Sequence, residues 1–356
     1  MKVVSVIGAR PQFIKAATIT RLIRRCHKEI LVHTGQHYDN NMSAVFFDEL
    51  GILTPEYNLC IGSGSHGLQT GAMLVEIEKV LLKEGPDWVV VYGDTNSTLA
   101  GALAAAKLNI PVAHVESGLR SYNRKMPEEI NRVIVDHLSD LLFCPSQVAV
   151  DNLAIEGIRI GVHLVGDVML DTLQYVSGRT ADCRNILQHF DIQEKDYILV
   201  TIHRAENTDN INRLESILAA LNEANELIVF SVHPRTQKAL QRLVYSAPKH
   251  VKLIEPVSYQ EMVCLESMAR MVLTDSGGIQ KEAYWLKTPC ITLRDETEWI
   301  ETVEVGWNIL VGTDSQRILA ALSSFTPPEN HPPLYGEPGA SERCVKLLEK
   351  YSKTSI

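Results

Sequence analysis

Short runs of β-branched and apolar residues recur along this chain, and helical patterns separate them. In the first half the runs fall at residues 3–7, 30–32, 88–92 and 111–115, with helical periodicity at 13–25 and 98–107. Apolar strands that alternate with helices are typical of a parallel sheet covered by helices on both faces. This rhythm constrains the fold more than any other feature.

The same rhythm restarts in the second half, so the sequence predicts two domains. The later runs fall at residues 197–202, 227–230, 251–254, 271–274 and 290–293. A chain of 356 residues also exceeds the usual size of one domain. We predict an α/β fold of two doubly wound, Rossmann-like domains facing a cleft. The expected bounds are 1–167, with the C-terminal helix 341–354 packed back on that domain, and 168–340, entered through a helical hinge at 168–184.

Charge and cysteine usage exclude several classes of protein. With 34 basic and 43 acidic residues the net charge is −9, which argues against a general nucleic-acid or acidic-membrane binder. Seven scattered cysteines without a CxxC pair predict reduced, buried thiols and neither a disulfide framework nor a zinc cluster. No apolar run is long enough to span a membrane. We therefore expect a cytoplasmic protein that requires no metal or cofactor.

Polar residues follow the strands of the first half, at the edge where open α/β sheets bind ligands. Arg10 follows the first strand and is interpreted as a ligand contact rather than as a surface arginine. Asp94 and Glu116 each follow a buried strand, which places two carboxylates at one edge. Asp94 could instead cap the next helix. Glu128 opens a helix, where an acid commonly complements the helix dipole or pairs with an arginine four residues later, here Arg132, so this segment alone does not indicate catalysis.

The second half carries histidine and arginine clusters and a glycine turn. His203 with Arg204, and His233 two residues before Arg235, could bind a diphosphate. Ser276, Gly277 and Gly278 lie between a strand and a helix, where free N–H groups suit a phosphate, although Ser276 could simply cap that helix. Glu282 could accept hydrogen bonds from a ribose. For the loop 294–299, which begins with Arg294, the binding and capping interpretations are evenly balanced.

These residues together resemble the non-hydrolysing UDP-N-acetylglucosamine 2-epimerases. The similarity runs almost from end to end and rests on these segments: Gly8-Ala9-Arg10-Pro11 with Lys15, Gly35-Gln36-His37, Gly93-Asp94-Thr95, residues 114–120, Pro127-Glu128-Glu129 with Asn131-Arg132, His203-Arg204, His233-Pro234, residues 275–280 with Glu282, and Arg294-Asp295. The resemblance implies a GT-B-like fold, a homodimer and a UDP-sugar substrate. It also implies inversion at C2 by anti elimination of UDP to a 2-acetamidoglucal, followed by re-addition.

Residue roles follow from the same resemblance, position by position. Asp94, Glu116 and Glu128 match catalytic carboxylates, and His203 matches a histidine beside the diphosphate. The remaining substrate-binding positions are Arg10, Lys15, Arg204, His233, Ser276, Gly277, Gly278, Glu282 and Arg294. Residues 35–39 and 70–73 lack the arginine pattern associated with a second, activating UDP-N-acetylglucosamine, which puts that allosteric site in doubt.

The start of the chain and residues 294–299 look closer to the branch that acts on UDP-2,3-diacetamido-2,3-dideoxyglucuronate. Both substrates belong to surface-polysaccharide biosynthesis. Three alternatives stay open at this point: a GT-B glycosyltransferase, a hydrolysing 2-epimerase, and a non-catalytic nucleotide-sugar sensor.

Overall fold

Each apolar run expected from the sequence forms a strand in the computed structural model, which describes residues 1–36, 50–52, 54–178 and 183–352. The strands are β1 Lys2–Ile7, β2 Lys28–His33, β3 Tyr57–Asn58, β4 Trp88–Tyr92, β5 Val112–Val115, β6 Leu141–Cys144, β7 Val162–Leu164, β8 Tyr197–Ile202, β9 Leu227–Val232, β10 Val251–Ile254, β11 Met271–Thr274, β12 Cys290–Thr292 and β13 Asn308–Leu310.

Within the described residues, helices connect most of these strands. They span Arg10–Cys26, His66–Glu84, Asn96–Lys107, Pro127–Leu138, Gln147–Ile155, Val168–Ser177, Cys183–His189, Ala205–Thr208, Ile211–Glu223, Pro234–Arg242, Tyr259–Met268, Gly277–Trp285, Ile300–Glu304, Ser315–Ser324 and Ala340–Ser352.

The chain divides into two units, each built on one parallel sheet. Met1–Val176 with Tyr335–Ile356 forms the first unit and Ser177–Leu334 the second. The first sheet has the order β3-β2-β1-β4-β5-β6-β7 and the second β10-β9-β8-β11-β12-β13. In both sheets the order reverses beside the first strand of the unit, which is the doubly wound arrangement and places ligand sites at the carboxyl ends of the strands.

Burial on both faces explains why the central strands read as continuous apolar runs. All five residues of β4 and all six of β8 are buried. Helices cover each face, so no strand residue there needs to be polar. Close packing extends to the backbone: a Cβ at Gly8 would lie 2.0 Å from Thr34 Oγ1 and 2.2 Å from Ser97 Oγ, so only glycine fits after β1.

The last helix, Ala340–Ser352, belongs to the first unit. Thr18 Oγ1 lies 2.6 Å from Ser341 Oγ, and Trp88 Nε1 donates to Ser352 Oγ at 2.7 Å. The first unit also includes helix Val168–Ser177 as far as Val176, nine residues past the expected boundary at 167, and Thr172 Oγ1 of this helix donates to the Ile14 carbonyl at 2.8 Å.

The expectation of reduced cysteines is wrong for one pair. Cys183 and Cys264 form a disulfide in the second unit. Their separation of 81 residues carries no sequence signature, and only the packing of helix Cys183–His189 on helix Tyr259–Met268 brings them together. Of the other cysteines, Cys144, Cys290 and Cys344 are buried thiols, whereas Cys26 and Cys60 are exposed.

Candidate active site

The segment after β1 is built around a buried glutamine. Gln12 Oε1 accepts from the N–H groups of Gly8 and Ala9 at 2.7 and 3.1 Å, which satisfies donors at the start of the helix. Its amide nitrogen donates to Tyr92 O at 2.8 Å. Gln12 therefore holds the first loop against the end of β4. The side chain of Arg10 and residues 37–49 lie outside the described part of the chain.

The two strand-end carboxylates follow neighbouring strands. Tyr92 and Val115 are paired at the ends of β4 and β5, so Asp94 and Glu116 extend from the same edge of the sheet. Glu116 has a backbone φ of +69°, in the left-handed region that residues other than glycine rarely adopt, so the chain is held in an unfavourable conformation at this carboxylate. A Cβ built on Gly93 would lie 3.5 Å from Glu116 Oε1, so the two turns are in contact.

Lys15 binds Glu116 directly. Its ammonium forms an ion pair with Glu116 Oε1, and only 9% and 8% of the two side chains are exposed. Lys15 comes from the second turn of the helix that follows β1, 101 residues away in sequence. Lys15 therefore neutralises the charge of Glu116 at the carboxyl end of the sheet.

Asp94 pairs with Arg132 rather than capping a helix. Thr95 is the N-cap of helix Asn96–Lys107, and its hydroxyl accepts from Thr98 N at 3.4 Å. The guanidinium of Arg132 forms ion pairs with Asp94 and, at 2.9 Å, with Glu129. Asp94 has 24% of its side chain exposed, so it can reach a ligand.

Glu128 differs from the other two proposed carboxylates. It lies in the first turn of helix Pro127–Leu138 and is exposed, and within the described ranges it forms no hydrogen bond or ion pair. The ordinary Glu128–Arg132 pair is therefore absent, because Arg132 binds Asp94 and Glu129 instead. The structure brings Asp94, Glu116 and Lys15 to one sheet edge and leaves Glu128 accessible on a helix.

In the second unit, a buried aspartate organises the loop after β8. Asp275 accepts from the backbone N–H of His203 at 3.0 Å, from that of Arg204 at 3.0 Å, and from Asn207 Nδ2 at 3.0 Å. Arg204 Nε donates to Asp275 O at 3.0 Å. The His203 ring lies 5.6 Å from the His233 ring, centroid to centroid. Two imidazoles and a guanidinium thus lie at the carboxyl ends of β8 and β9.

The glycine turn after β11 starts the helix Gly277–Trp285. Ser276 is its N-cap and accepts from Ile279 N at 3.5 Å, so the capping interpretation is confirmed. The N–H groups of Gly277 and Gly278 have no acceptor among the described residues, as expected for the first turn of a helix. Glu282, one turn further along, is buried and accepts from Tyr259 Oη at 2.6 Å.

Residues 294–299 pack against this turn. Glu298 pairs with the buried Arg294 at 2.7 Å and with Arg204 at 3.5 Å. A Cβ at Gly277 would lie 2.6 Å from Glu298 Oε1, so a larger residue there would displace the acid that holds both arginines. Lys281, fully buried, places its ammonium 3.9 Å above the Trp299 ring.

Sequence reasoning missed the residues that hold the site together. Arg132 and Asp275 stand in the sequence only as parts of larger motifs, and no local pattern distinguishes Tyr259 or Lys281. Only the spacing of Asp275 directly after a strand gave a signal. Tyr259 lies 23 residues before Glu282, so no local pattern links the two.

The described part of the chain has neither a membrane-spanning helix nor a metal-binding cluster. None of its helices has the length and apolar character that crossing a bilayer requires. It also holds no cluster of three or more His, Cys, Asp or Glu side chains arranged to bind a metal ion.

Known proteins resemble this chain over nearly its whole length. The family model described as UDP-N-acetylglucosamine 2-epimerase matches residues 21–349. A Methanococcus maripaludis protein named a UDP-N-acetylglucosamine 2-epimerase homolog is 56% identical, over 98% of this chain and 99% of its own. The UDP-2,3-diacetamido-2,3-dideoxy-D-glucuronate 2-epimerase of Pseudomonas aeruginosa is 48% identical, over 98% of this chain and 100% of its own.

A solved structure shows the same likeness in three dimensions. The Methanocaldococcus jannaschii UDP-GlcNAc 2-epimerase, crystallised with UDP-GlcNAc and UDP, has a TM-score of 0.93 and 47% identity, covering 98% of this chain and all of its own. Two parallel α/β units of this kind define the GT-B-like fold of enzymes that act on nucleotide sugars. The chain belongs to the UDP-N-acetylglucosamine 2-epimerase family.

Family membership decides between the alternatives that the sequence left open. The chain is an isomerase, a non-hydrolysing UDP-sugar 2-epimerase.

Proposed function

We propose that the first unit supplies the carboxylates for epimerisation and the second unit binds the UDP. One observation carries the catalytic part of this proposal: Asp94 and Glu116 emerge at the same edge of the first sheet, each paired with a buried cation. Proton transfer at a carbon needs a carboxylate held within reach of that carbon. Charge pairing fixes both acids in place before substrate arrives, which removes reorganisation from the reaction.

The reaction balances without any added group. A carboxylate takes the C2 proton while the C1–O bond breaks, and the electron pair of that bond leaves with UDP. The C2–H electron pair becomes the C1=C2 double bond of the 2-acetamidoglucal. Re-addition of UDP at C1, with a proton delivered to the opposite face of C2, gives the epimer. Asp94, Glu116 and Glu128 are the proposed acids and bases, and the roles of donor and acceptor exchange in the reverse reaction.

The diphosphate needs compensation as it leaves with additional charge. His203 and Arg204 lie on the loop that Asp275 orders, beside His233, and the first N–H groups of helix Gly277–Trp285 lie next to the same aspartate. Helix starts and arginine side chains are the groups that bind phosphate oxygens in proteins. Glu282 would accept the ribose hydroxyls. Arg294 contributes through Glu298, while Arg10 stays a predicted contact.

The preferred substrate is proposed to be UDP-2,3-diacetamido-2,3-dideoxyglucuronate rather than UDP-N-acetylglucosamine. The proposal rests on the resemblance of residues 294–299 and of Gln12-Phe13 to that branch. Gln12 is a buried helix cap and Trp299 is 3% exposed, so both would act on specificity through packing and not through direct contact. Overall identity does not separate the two substrates. The uronate epimerase of Pseudomonas aeruginosa and the UDP-N-acetylglucosamine 2-epimerase of Methanocaldococcus jannaschii are each 48% identical to this chain.

Turnover of the two UDP-sugars side by side tests this choice. We expect kcat/KM to be at least tenfold higher for the diacetamido uronate, measured by anion-exchange separation of the two epimers. The same assay scores free UDP, which should stay a minor product. Efficient use of UDP-N-acetylglucosamine with no turnover of the uronate would refute the preference.

The chain is also proposed to form a homodimer, as the resemblance implies. Helix His66–Glu84 exposes Leu68, Val75 and Leu82, with 76, 54 and 67% of their surfaces accessible. Spacing of seven residues places the three on one face of the helix, which is the pattern of a helix that packs on a partner helix. Single exposed apolar residues are ordinary on a protein surface. The alignment of these three on one face of one helix is what supports an interface.

A charge in the stripe should disrupt the dimer. Leu82→Glu is expected to convert the wild-type dimer to monomer at micromolar concentration in sedimentation velocity. Ile160→Glu is the matched control, because Ile160 is 91% exposed on a loop before β7. A Leu82→Glu protein that sediments like wild type would show that this surface is not the dimer interface.

The cytoplasmic localisation expected from the sequence stays a prediction.

A further inference from the structure

A histidine and an aspartate of the first unit form a fully buried pair beneath the strand ends. His114 lies on β5 and Asp136 on helix Pro127–Leu138, and neither side chain is exposed to solvent. His114 Nδ1 is 2.7 Å from Asp136 Oδ1. Burying polar groups is costly unless they are hydrogen-bonded. The other hydrogen bonds of His114 and Asp136 therefore show what the pair holds in place.

The second ring nitrogen of His114 holds the loop that carries Asp94. His114 Nε2 lies 2.7 Å from Gly93 O, and it is the donor because a carbonyl oxygen can only accept. Gly93 N donates in turn to Val115 O at 2.9 Å. Both polar backbone groups of Gly93 are thus fixed by β5, in a backbone conformation with φ +62°. Asp94 is the next residue.

Asp136 holds the turn that follows Glu116 from the same position. Its Oδ2 accepts from Gly118 N at 3.1 Å and from Arg120 Nη1 at 2.7 Å. Burial alone would raise the pKa of Asp136, but the hydrogen bonds and charges of His114 and Arg120 outweigh burial and lower that pKa below its ordinary value. As an ionised carboxylate, Asp136 accepts hydrogen bonds from all three neighbours.

Glycine is required at the clamped turn after Glu116. Gly118 has φ +80°, and a Cβ there would lie 2.3 Å from Ala149 O. Glu116 lies between this glycine and β5, itself at φ +69°. The two turns that carry the carboxylates Asp94 and Glu116 are therefore tied to one another through a single buried His114–Asp136 pair.

We propose that His114 and Asp136 are positioning residues for the epimerisation, which together fix the placement of Asp94 relative to Glu116. This inference rests on the proposed function. Neither residue touches substrate; they act by removing the freedom of the Gly93 and Gly118 turns. A displacement of about 1 Å in a catalytic group costs on the order of 10²-fold in rate, so a buried clamp of this kind has a measurable effect.

Two substitutions of His114 separate positioning from mere stability. Glutamine can place its side-chain nitrogen where Nε2 lies and donate to Gly93 O, whereas asparagine reaches only the position of Nδ1. We expect His114→Asn to lower kcat about 30-fold with KM changed less than about threefold. The kcat of His114→Gln should be at least tenfold higher than that of His114→Asn. UDP affinity in calorimetry should be unchanged in both variants.

A purely structural role predicts another pattern. Equal kcat values for the two variants, or a loss that appears in KM instead of kcat, would overturn the inference. Should His114→Asn fail to fold, as judged by its circular dichroism, Asp136→Asn replaces it, and a wild-type kcat in that variant would overturn the inference as well. Absence of epimerisation by the wild-type enzyme would count against the proposed function itself and is scored in the same assay.

Discussion

Glu116→Gln is expected to lower kcat about 10³-fold while UDP binding stays intact. The amide keeps the shape of the side chain but cannot act as a base, and general acid–base groups contribute roughly 10²- to 10⁴-fold. The change also removes the charge that pairs with Lys15 at a site where both side chains are less than 10% exposed. Steady-state kinetics and UDP calorimetry on the same preparation measure the two parts of the prediction.

A second carboxylate substitution serves as the control for this result. Glu215→Gln changes an exposed glutamate on helix Ile211–Glu223 and should leave kcat within about twofold of wild type. A Glu116→Gln enzyme that turns over normally would remove Glu116 from the chemistry. Loss of UDP binding in that variant would mean that the first unit takes part in holding the nucleotide.

The second large effect is expected in nucleotide binding. Glu282→Ala should weaken UDP affinity about 100-fold, because it removes the buried carboxylate that is proposed to accept the ribose hydroxyls and that Tyr259 Oη binds at 2.6 Å. Hydrogen bonds to a charged group contribute about 1.5–3 kcal/mol, and 1.4 kcal/mol corresponds to a tenfold change in affinity. Isothermal titration calorimetry with UDP gives the number directly.

Tyr259→Phe distinguishes ribose recognition from loss of local order. This variant keeps the Glu282 carboxylate and removes only the hydroxyl that orients it, so a smaller loss of about tenfold is expected. His203→Ala should also weaken UDP binding, since His203 lies at the end of β8 beside His233. Unchanged affinity in both Glu282→Ala and His203→Ala would refute the placement of UDP on the second unit.

The architecture was predictable because its signal is local. A strand buried on both faces is apolar along nearly its whole length, so β4 and β8 can be predicted from the sequence. The same reasoning located Asp94 and Glu116 directly after strands. Short edge strands such as β3 and β13, two and three residues long, carry too few residues to show a pattern.

What the sequence could not show are the contacts that cross long separations. Lys15 meets Glu116 across 101 residues, and Arg132 meets Asp94 across 38. In the Glu128 segment local spacing favoured an i,i+4 pair with Arg132, but tertiary contacts with Asp94 and Glu129 took that guanidinium instead. The Cys183–Cys264 disulfide was missed for the same reason. Function-bearing residue types are visible in a sequence, while their partners depend on the fold.

Incorporation of solvent deuterium at C2 tests the central claim most directly. During elimination and re-addition the C2 proton resides on a carboxyl group that exchanges with solvent. The wild-type enzyme in D2O should therefore return product with deuterium at C2, seen by mass spectrometry and proton NMR, without added nicotinamide cofactor. Small amounts of UDP and the glucal should accumulate alongside it. A product that retains its original C2 hydrogen after full epimerisation would contradict proton transfer through these carboxylates.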